Sequence, residues 1–435
     1  MRRKYFLIAI ALTFALIMSA CGGDDNNNNA NDNGNDNDNA SGELSGEITF
    51  NTMELSPTFD DYLNGLIDEF EEMHPDVTVN WEDVPADQIE QKTLTEASGG
   101  NMSDVVNLNP RFTKRLGGVG ALLDMDEAAA DFKDLYPEGL WESGKVGDVS
   151  YAVPWYFTSG GIIYNPEILE EAGFDAPPET IDEAWEMSET IYEETGAYAG
   201  GYTTTAWQDL WVLYPTMGID LVNEEGTEAA FNTDRALELL EERKEYYDKG
   251  LIPDDIMLDN SLASEWYADG RLAWWVSGPQ LYRQIEDLSA DMYEKSKAAP
   301  GFVGDEGTMY SAIQNLVISE QSEHKDVAIE FVKFITNKEN QIDFAKLVPI
   351  LPGNAEAAED EYFLSGEDSE DPEEKGLYYS ALDIEKAVDM SPPIEQANQI
   401  NEILTEEYEE VMLNDKDPKD ALDDAERRVN ELLAE

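Results

Sequence analysis

The chain has 435 residues, 42% of them apolar, which leaves room for two or three domains with ordinary cores. Its 27 basic and 95 acidic residues give a formal net charge of −68. That balance excludes nucleic acid as a partner, because phosphate binding needs a basic footprint, and excludes broad electrostatic docking on an anionic membrane. The single cysteine, Cys21, and the two histidines, His74 and His324, rule out an internal disulfide, a Cys/His metal site and a Cys–His catalytic pair.

The N-terminus carries the first organised segment. Arg2, Arg3 and Lys4 precede an apolar run over 5–18 and the small residues Ser19 and Ala20. Residues 1–20 therefore read as a secretory signal peptide, too short for a membrane span. Met18-Ser19-Ala20-Cys21 resembles a bacterial lipobox, and the resemblance implies cleavage before Cys21 and a lipid on its sulfur. Residues 21–45 are rich in Asn and Asp with almost no apolar side chains, so a disordered tether between lipid and domain is expected.

Beyond the tether the pattern alternates between strand and helix. Residues 48–53 read as a strand, and Phe59, Tyr62, Leu63, Leu66, Ile67, Phe70 and Met73 recur at helical steps. Pro75 ends that helix, and Val77, Val79 and Trp81 alternate as a strand, which implies a parallel pair with a crossover. Strands are also expected over 104–108, 149–153, 162–164, 272–276 and 315–318. Thr180 with Glu183 forms a capping-box pattern for a helix that stops at Gly196. Thr233 or Asp234 caps another helix, ended by Gly250 and Pro253, and further helices are expected over 327–335 and from Pro418. The expected class is α/β with mostly parallel sheets. No Walker loop or G-x-S-x-G elbow occurs, and Gly118-x-Gly120 lacks the strand and third glycine of a dinucleotide fingerprint, so neither cofactor nor metal is expected.

Six segments carry a resemblance. They are Ala152 to Phe174 (AVPWYFTSGGIIYNPEILEEAGF), Pro177 to Trp185, Phe231 to Pro253, Tyr267 to Pro279, Val327 to Pro352, and Asp415 to Glu426. In this order they resemble the motifs of the extracellular solute-binding proteins of ABC importers, the sugar-binding family that includes maltose-binding protein. The resemblance runs from about 46 to 435 and implies a two-lobed, type II periplasmic-binding-protein-like fold with a ligand cleft between lobes. It places one lobe at 46–156 plus 301–352 and the other at 157–300 plus 353–435. It implies capture of a carbohydrate, an oligosaccharide above all, and delivery to ABC permease subunits by a monomeric, outward-facing, lipid-anchored receptor without catalysis.

A sugar site wants aromatic platforms for C–H faces and a few oriented polar groups. Trp155, Tyr156 and Thr158, read as a loop after Pro154, match cleft positions of the family. Trp207 matches a stacking aromatic, whereas Trp211 is assigned to the core. Trp274 and Trp275 alternate, so one faces the core while Trp275 approaches the cleft; Ser277, Gly278 and Gln280 follow at a strand-to-helix turn. From the first lobe Glu54, Asn109 and Arg111 follow strand ends, where open α/β sheets bind ligands. Tyr310 and Met390 match cleft loops. Two alternatives stay open on sequence: a binder of a non-sugar solute, and a secreted carbohydrate hydrolase with paired carboxylates. The acidic excess further predicts adaptation to high salt.

Overall fold

The computed structural model describes residues 44–434 apart from 202–209, 224–225, 305–306, 393 and 395. The signal, Cys21, most of the tether and Trp207 lie outside the described residues. The folded body is a single compact unit, Glu43–Glu435.

The strands in chain order are β1 (Ser45–Met53), β2 (Asp76–Val84), β3 (Val105–Leu108), β4 (Lys145–Val146), β5 (Val149–Ser150), β6 (Val153–Ser159), β7 (Gly161–Tyr164), β8 (Trp274–Ser277), β9 (Lys297–Ala299), β10 (Met309–Ile318), β11 (Leu351–Pro352) and β12 (Ala387–Val388). The helix Asp60–Met73 buries Leu63, Leu66, Ile67 and Phe70 and links β1 to β2, which pair in parallel with Ile48 opposite Val79. This is the crossover that the periodicity predicts, because one apolar stripe must cover one sheet face. β3 is buried along its whole length and lies parallel to β1 on the other side.

The main sheet has the order β11-β6-β10-β3-β1-β2, with β12 added beside β10, and a second sheet has the order β8-β7-β9. The class is α/β and two-lobed as expected, but the pairing is mixed where mostly parallel sheets were expected. β1–β2, β1–β3 and β10–β12 run parallel, whereas β6 and β10 lie antiparallel to each other and to their other main-sheet neighbours, β11 and β3. The cause is topological: β6 leads out of the main sheet toward the second, while β10 leads back into it, so the two must run oppositely.

Each sheet has its own core. Phe50, Phe70, Trp155, Phe331 and Phe344 pack in the first, and Trp185, Leu213, Phe231, Trp274 and Tyr408 in the second. Ala357, Phe363, Leu377 and Ala381 lie in the first core, and Ile400, Leu404 and Val429 in the second. The chain passes between the sheets at Gly160, returns between β9 and β10, and leaves again after β12. At the first two crossings the backbones touch: a Cβ on Gly301 would sit 1.8 Å from the Gly160 carbonyl oxygen, so no side chain fits there.

The caps follow the sequence pattern. Thr180 Oγ1 accepts from the Glu183 N–H at 3.1 Å, Gly196 ends that helix at φ 74°, and Thr233 accepts from the Ala236 N–H. Glu183 reaches back to the Glu179 N–H, one residue before the cap. Among the described residues no helix is long and apolar enough to cross a membrane.

Candidate functional site

A cavity of about 590 Å³ lies where the two sheets and the crossing segments meet. That is within the ~300–1,000 Å³ range of small-molecule sites. One wall is Asn109, Pro110 and Arg111, at the start of the helix Pro110–Gly118 that follows β3. The floor comes from Thr158 to Gly160 and from Met309 to Gln314, on the two long crossing strands. The opposite wall is Trp275 to Gly278 at the end of β8, together with Trp211, Asn260 and Ala263. Asp389 and Ser391, just after β12, close a further side.

Local structure explains each placement. Asn109 caps its helix, its Oδ1 accepting from the Phe112 N–H at 2.9 Å, which leaves its Nδ2 hydrogens uncommitted to the cap. Arg111 pairs with Glu90 at 3.1 Å, both about a third exposed. On β8 the alternation sends Trp274 into the second core, while Trp275, 8% exposed, borders the cavity. At Gly278 the Gln280 amide occupies the space of a Cβ, its Oε1 2.2 Å from that position, so a side chain there would displace Gln280. The rings of Trp211 and Tyr310 meet edge to face at 5.8 Å. Burial, and then the Asp389 carboxylate nearby, push the Tyr310 hydroxyl up to about 12, so it stays a neutral donor and acceptor.

Of the residues expected at the site, Asn109, Arg111, Thr158, Trp275, Ser277, Gly278 and Tyr310 are on the cavity lining, and Glu54, Trp155, Tyr156, Gln280 and Met390 are not. Trp155 requires correction. It lies inside β6 rather than in a loop, and the strand's alternation sends it with Phe157 into the first core. There it is fully buried and stacked on Phe344 at 5.4 Å. Tyr156 leans on the same Phe344 from the other side of the strand, and Thr158, two residues nearer the crossing, reaches the cavity. Glu54 turns away at φ 54° at the end of β1, its N–H donating to the Val84 carbonyl. Gln280 folds back over Gly278. Met390 is buried, its sulfur packed 3.3 Å from Thr216 Oγ1, while its neighbours Asp389 and Ser391 turn to the cavity.

Asp389, Ser391 and Asn260 line the cavity without having been singled out, and so does Trp211, which the sequence pattern assigns to the core. Trp211 is half-buried, packing on the second core with one edge and on Tyr310 with the other, so its core assignment described one side of the ring. The sequence signal that was available for Asp389 and Ser391 is their alternation about Met390.

The model of the bacterial extracellular solute-binding protein matches residues 56–342. The chain belongs to that family. Among its relatives is the diacetylchitobiose binding protein DasA of Streptomyces coelicolor, 24% identical, the match covering 82% of this chain and 83% of that one. The xylose/arabinose-binding protein XacG of Haloferax volcanii is 26% identical over 65% of this chain and 64% of its own. The fold is also that of the sugar-binding protein MalE from Xanthomonas citri, with a TM-score of 0.76 at 21% identity over 89% of this chain and 98% of that one. The cavity of this extracellular solute-binding protein therefore sits where a type II binding fold brings two sheets and three crossings together.

Proposed function

We propose that this protein captures an uncharged carbohydrate in the cavity between its sheets and delivers it to an ABC importer. One observation carries the reading: the cavity is aromatic and charge-balanced inside a strongly anionic molecule. Trp211 and Tyr310, bordered by the largely buried Trp275, offer aromatic surface for sugar C–H groups, and the two charged residues among the described lining, Arg111 and Asp389, are each already paired, with Glu90 and Lys114. A charged solute would meet no uncompensated partner among the described residues. Relatives named for diacetylchitobiose, for xylose and arabinose, and for arabinooligosaccharide support the same class.

In this reading the lobes are about 46–159 with 309–364, and about 161–299 with 397–435, a division supported by core membership, while the helix Pro372–Leu382 bridges them: its Leu377 and Ala381 join the first core, and its Glu373 pairs with Arg283 beyond the second sheet. The protein is exported by residues 1–20, lipidated at Cys21, tethered through 21–45 and active as a monomer facing outward. It binds without turnover, since Asp389 is the one carboxylate among the described lining residues and glycoside hydrolysis takes two.

The test is a thermal-shift and calorimetric panel of xylose, arabinose, arabinotriose, maltotriose and N,N′-diacetylchitobiose, with spermidine and glutamate as charged controls. A bound sugar at a hundredfold excess over Kd adds about 2.7 kcal/mol of stability. A response to the charged controls alone overturns the reading, and cleavage of the best-binding glycan overturns binding without turnover.

A further inference from the structure

The buried pair formed by Lys114 and Asp389 has no part in the expected site, yet Asp389 lines the cavity and Lys114 stands behind it. Their side chains are 8% and 7% exposed, and Lys114 Nζ donates to Asp389 Oδ2 at 2.7 Å. Among the described residues every other ion-paired lysine is at least 16% exposed. Lys114 belongs to the helix whose first turn forms one cavity wall, and Asp389 follows β12, whose Val388 pairs with Tyr310 of the floor. The next residue, Met390, packs its sulfur 3.3 Å from Thr216 Oγ1, on the helix Leu210–Thr216 that also carries Trp211. The 388–391 segment is thus held from both sides, by Lys114 on the side of the first sheet and by Thr216 on the side of the second core.

The donors around Asp389 can be counted. A carboxylate offers about four lone-pair sites. Among the described residues three hydrogens are directed at them: one from Lys114, one from the Ser391 N–H at 3.2 Å from Oδ1, and the Ser391 hydroxyl, which lies 2.7 Å from both oxygens. Counted over the described residues, about one site remains, on a residue that lines the cavity beside the Tyr310 ring. With Lys114 as counter-ion the carboxylate has no need of a cation, and a neutral hydroxyl is the donor that completes it. A charge-assisted hydrogen bond in a dry site is about twice as strong as a neutral one.

We propose that Asp389 is a specificity-determining acceptor for a ligand hydroxyl and that Lys114 is the positioning residue that holds its carboxylate toward the cavity. The assignment rests on the carbohydrate reading above and adds to it a site for one edge hydroxyl, next to the Trp211–Tyr310 pair that takes the apolar face.

The test compares Asp389→Asn, Lys114→Met, Lys114→Arg and the double variant Lys114→Met/Asp389→Leu with the wild type. Each is titrated calorimetrically with the same five sugars and melted without sugar. Removing one partner leaves a buried charge alone and lowers the melting temperature, whereas the double variant replaces the pair by apolar groups and recovers it. The expected result is an affinity loss of tenfold or more in Asp389→Asn, in Lys114→Met and in the double variant, although the double variant melts like the wild type, with Lys114→Arg staying within a few-fold of wild type. A double variant with wild-type affinity overturns the proposal, because the pair is then only structural. Should that variant not fold, Asp389→Asn decides: a tenfold loss supports the acceptor role and wild-type affinity overturns it. A wild type that binds none of the five sugars overturns the carbohydrate reading together with this assignment, whereas a wild type that binds and variants that bind equally overturn the assignment alone.

Discussion

Trp155 and Trp211 exchange the roles that local pattern suggests for them. Trp155 has no exposed surface, stacks on Phe344 and faces Phe50 at 6.2 Å. Trp155→Ala is expected to cost about 3–5 kcal/mol, the range for deleting a buried large aromatic, and to do so in urea unfolding without any sugar present. Trp211 is held on one edge by the second core and presents the rest of its ring to the cavity and to Tyr310. Trp211→Ala is expected to weaken the best-binding sugar by tenfold or more, about 1.4 kcal/mol, while shifting the unliganded melting temperature much less than Trp155→Ala does. Calorimetry and melting on both variants check the assignment, and equal stability losses would refute it.

Helix ends and strand crossings set how the walls are presented. The helix Ile181–Thr195 stacks Trp185 on Tyr246 at 4.9 Å and places it 5.1 Å from the buried Arg243 guanidinium, so its N-terminal turn supports the second core. Thr180→Ala deletes the hydroxyl that accepts from the Glu183 N–H and is expected to destabilise by about 1 kcal/mol in chemical denaturation. A loss under about 0.3 kcal/mol would show that Glu183 and solvent replace the cap. The touching crossings are less forgiving. Gly301→Ala drives a methyl against the Gly160 carbonyl, which is backbone and cannot rotate away, so a loss of about 1–3 kcal/mol or more and a lower soluble yield are expected. Unchanged stability would mean that the two crossing segments separate at little cost.

For the whole molecule the governing quantity is charge. The proposed cleavage after residue 20 would remove three cations and no anion, taking the net charge from −68 to −71. Cations are shared among acids: Lys249 contacts Glu189 and Glu245, Lys416 contacts Glu407 and Asp424, and Arg428 contacts Glu406 and Glu407. Apart from those on the buried Glu407, such pairs are exposed and contribute ~0–1 kcal/mol each, too little to offset repulsion among the remaining carboxylates. The Debye length falls from ~10 Å at 0.1 M to ~3 Å at 1 M salt, so molar NaCl is expected to raise the melting temperature until screening is complete. A flat or falling curve from low to molar NaCl would refute salt adaptation. Sugar affinity should change far less over the same range, because the charges at the cavity are paired locally.

Features decided within a few residues were legible in the sequence. The helix Asp60–Met73, the Thr180 and Thr233 caps, the parallel β1–β2 unit and the core position of Trp274 all follow from 3.6- or 2-residue periodicity and from side chains that satisfy their own backbone. The resemblance of six ordered segments carried the fold class and the approximate place of the cleft. Periodicity divides a strand into two faces without saying what covers each. On β6 that depended on Phe344 and Phe50, distant in sequence, which bury Trp155, and on the crossing near Gly160, which brings Thr158 to the cavity. The same limit applies after β12, where the two-residue pairing with β10 and the Lys114 contact, 275 residues away in sequence, decide that Asp389 and Ser391 face the cavity while Met390 turns away. Tertiary structure alone could decide these, because each depends on which distant surface removes a side chain from water.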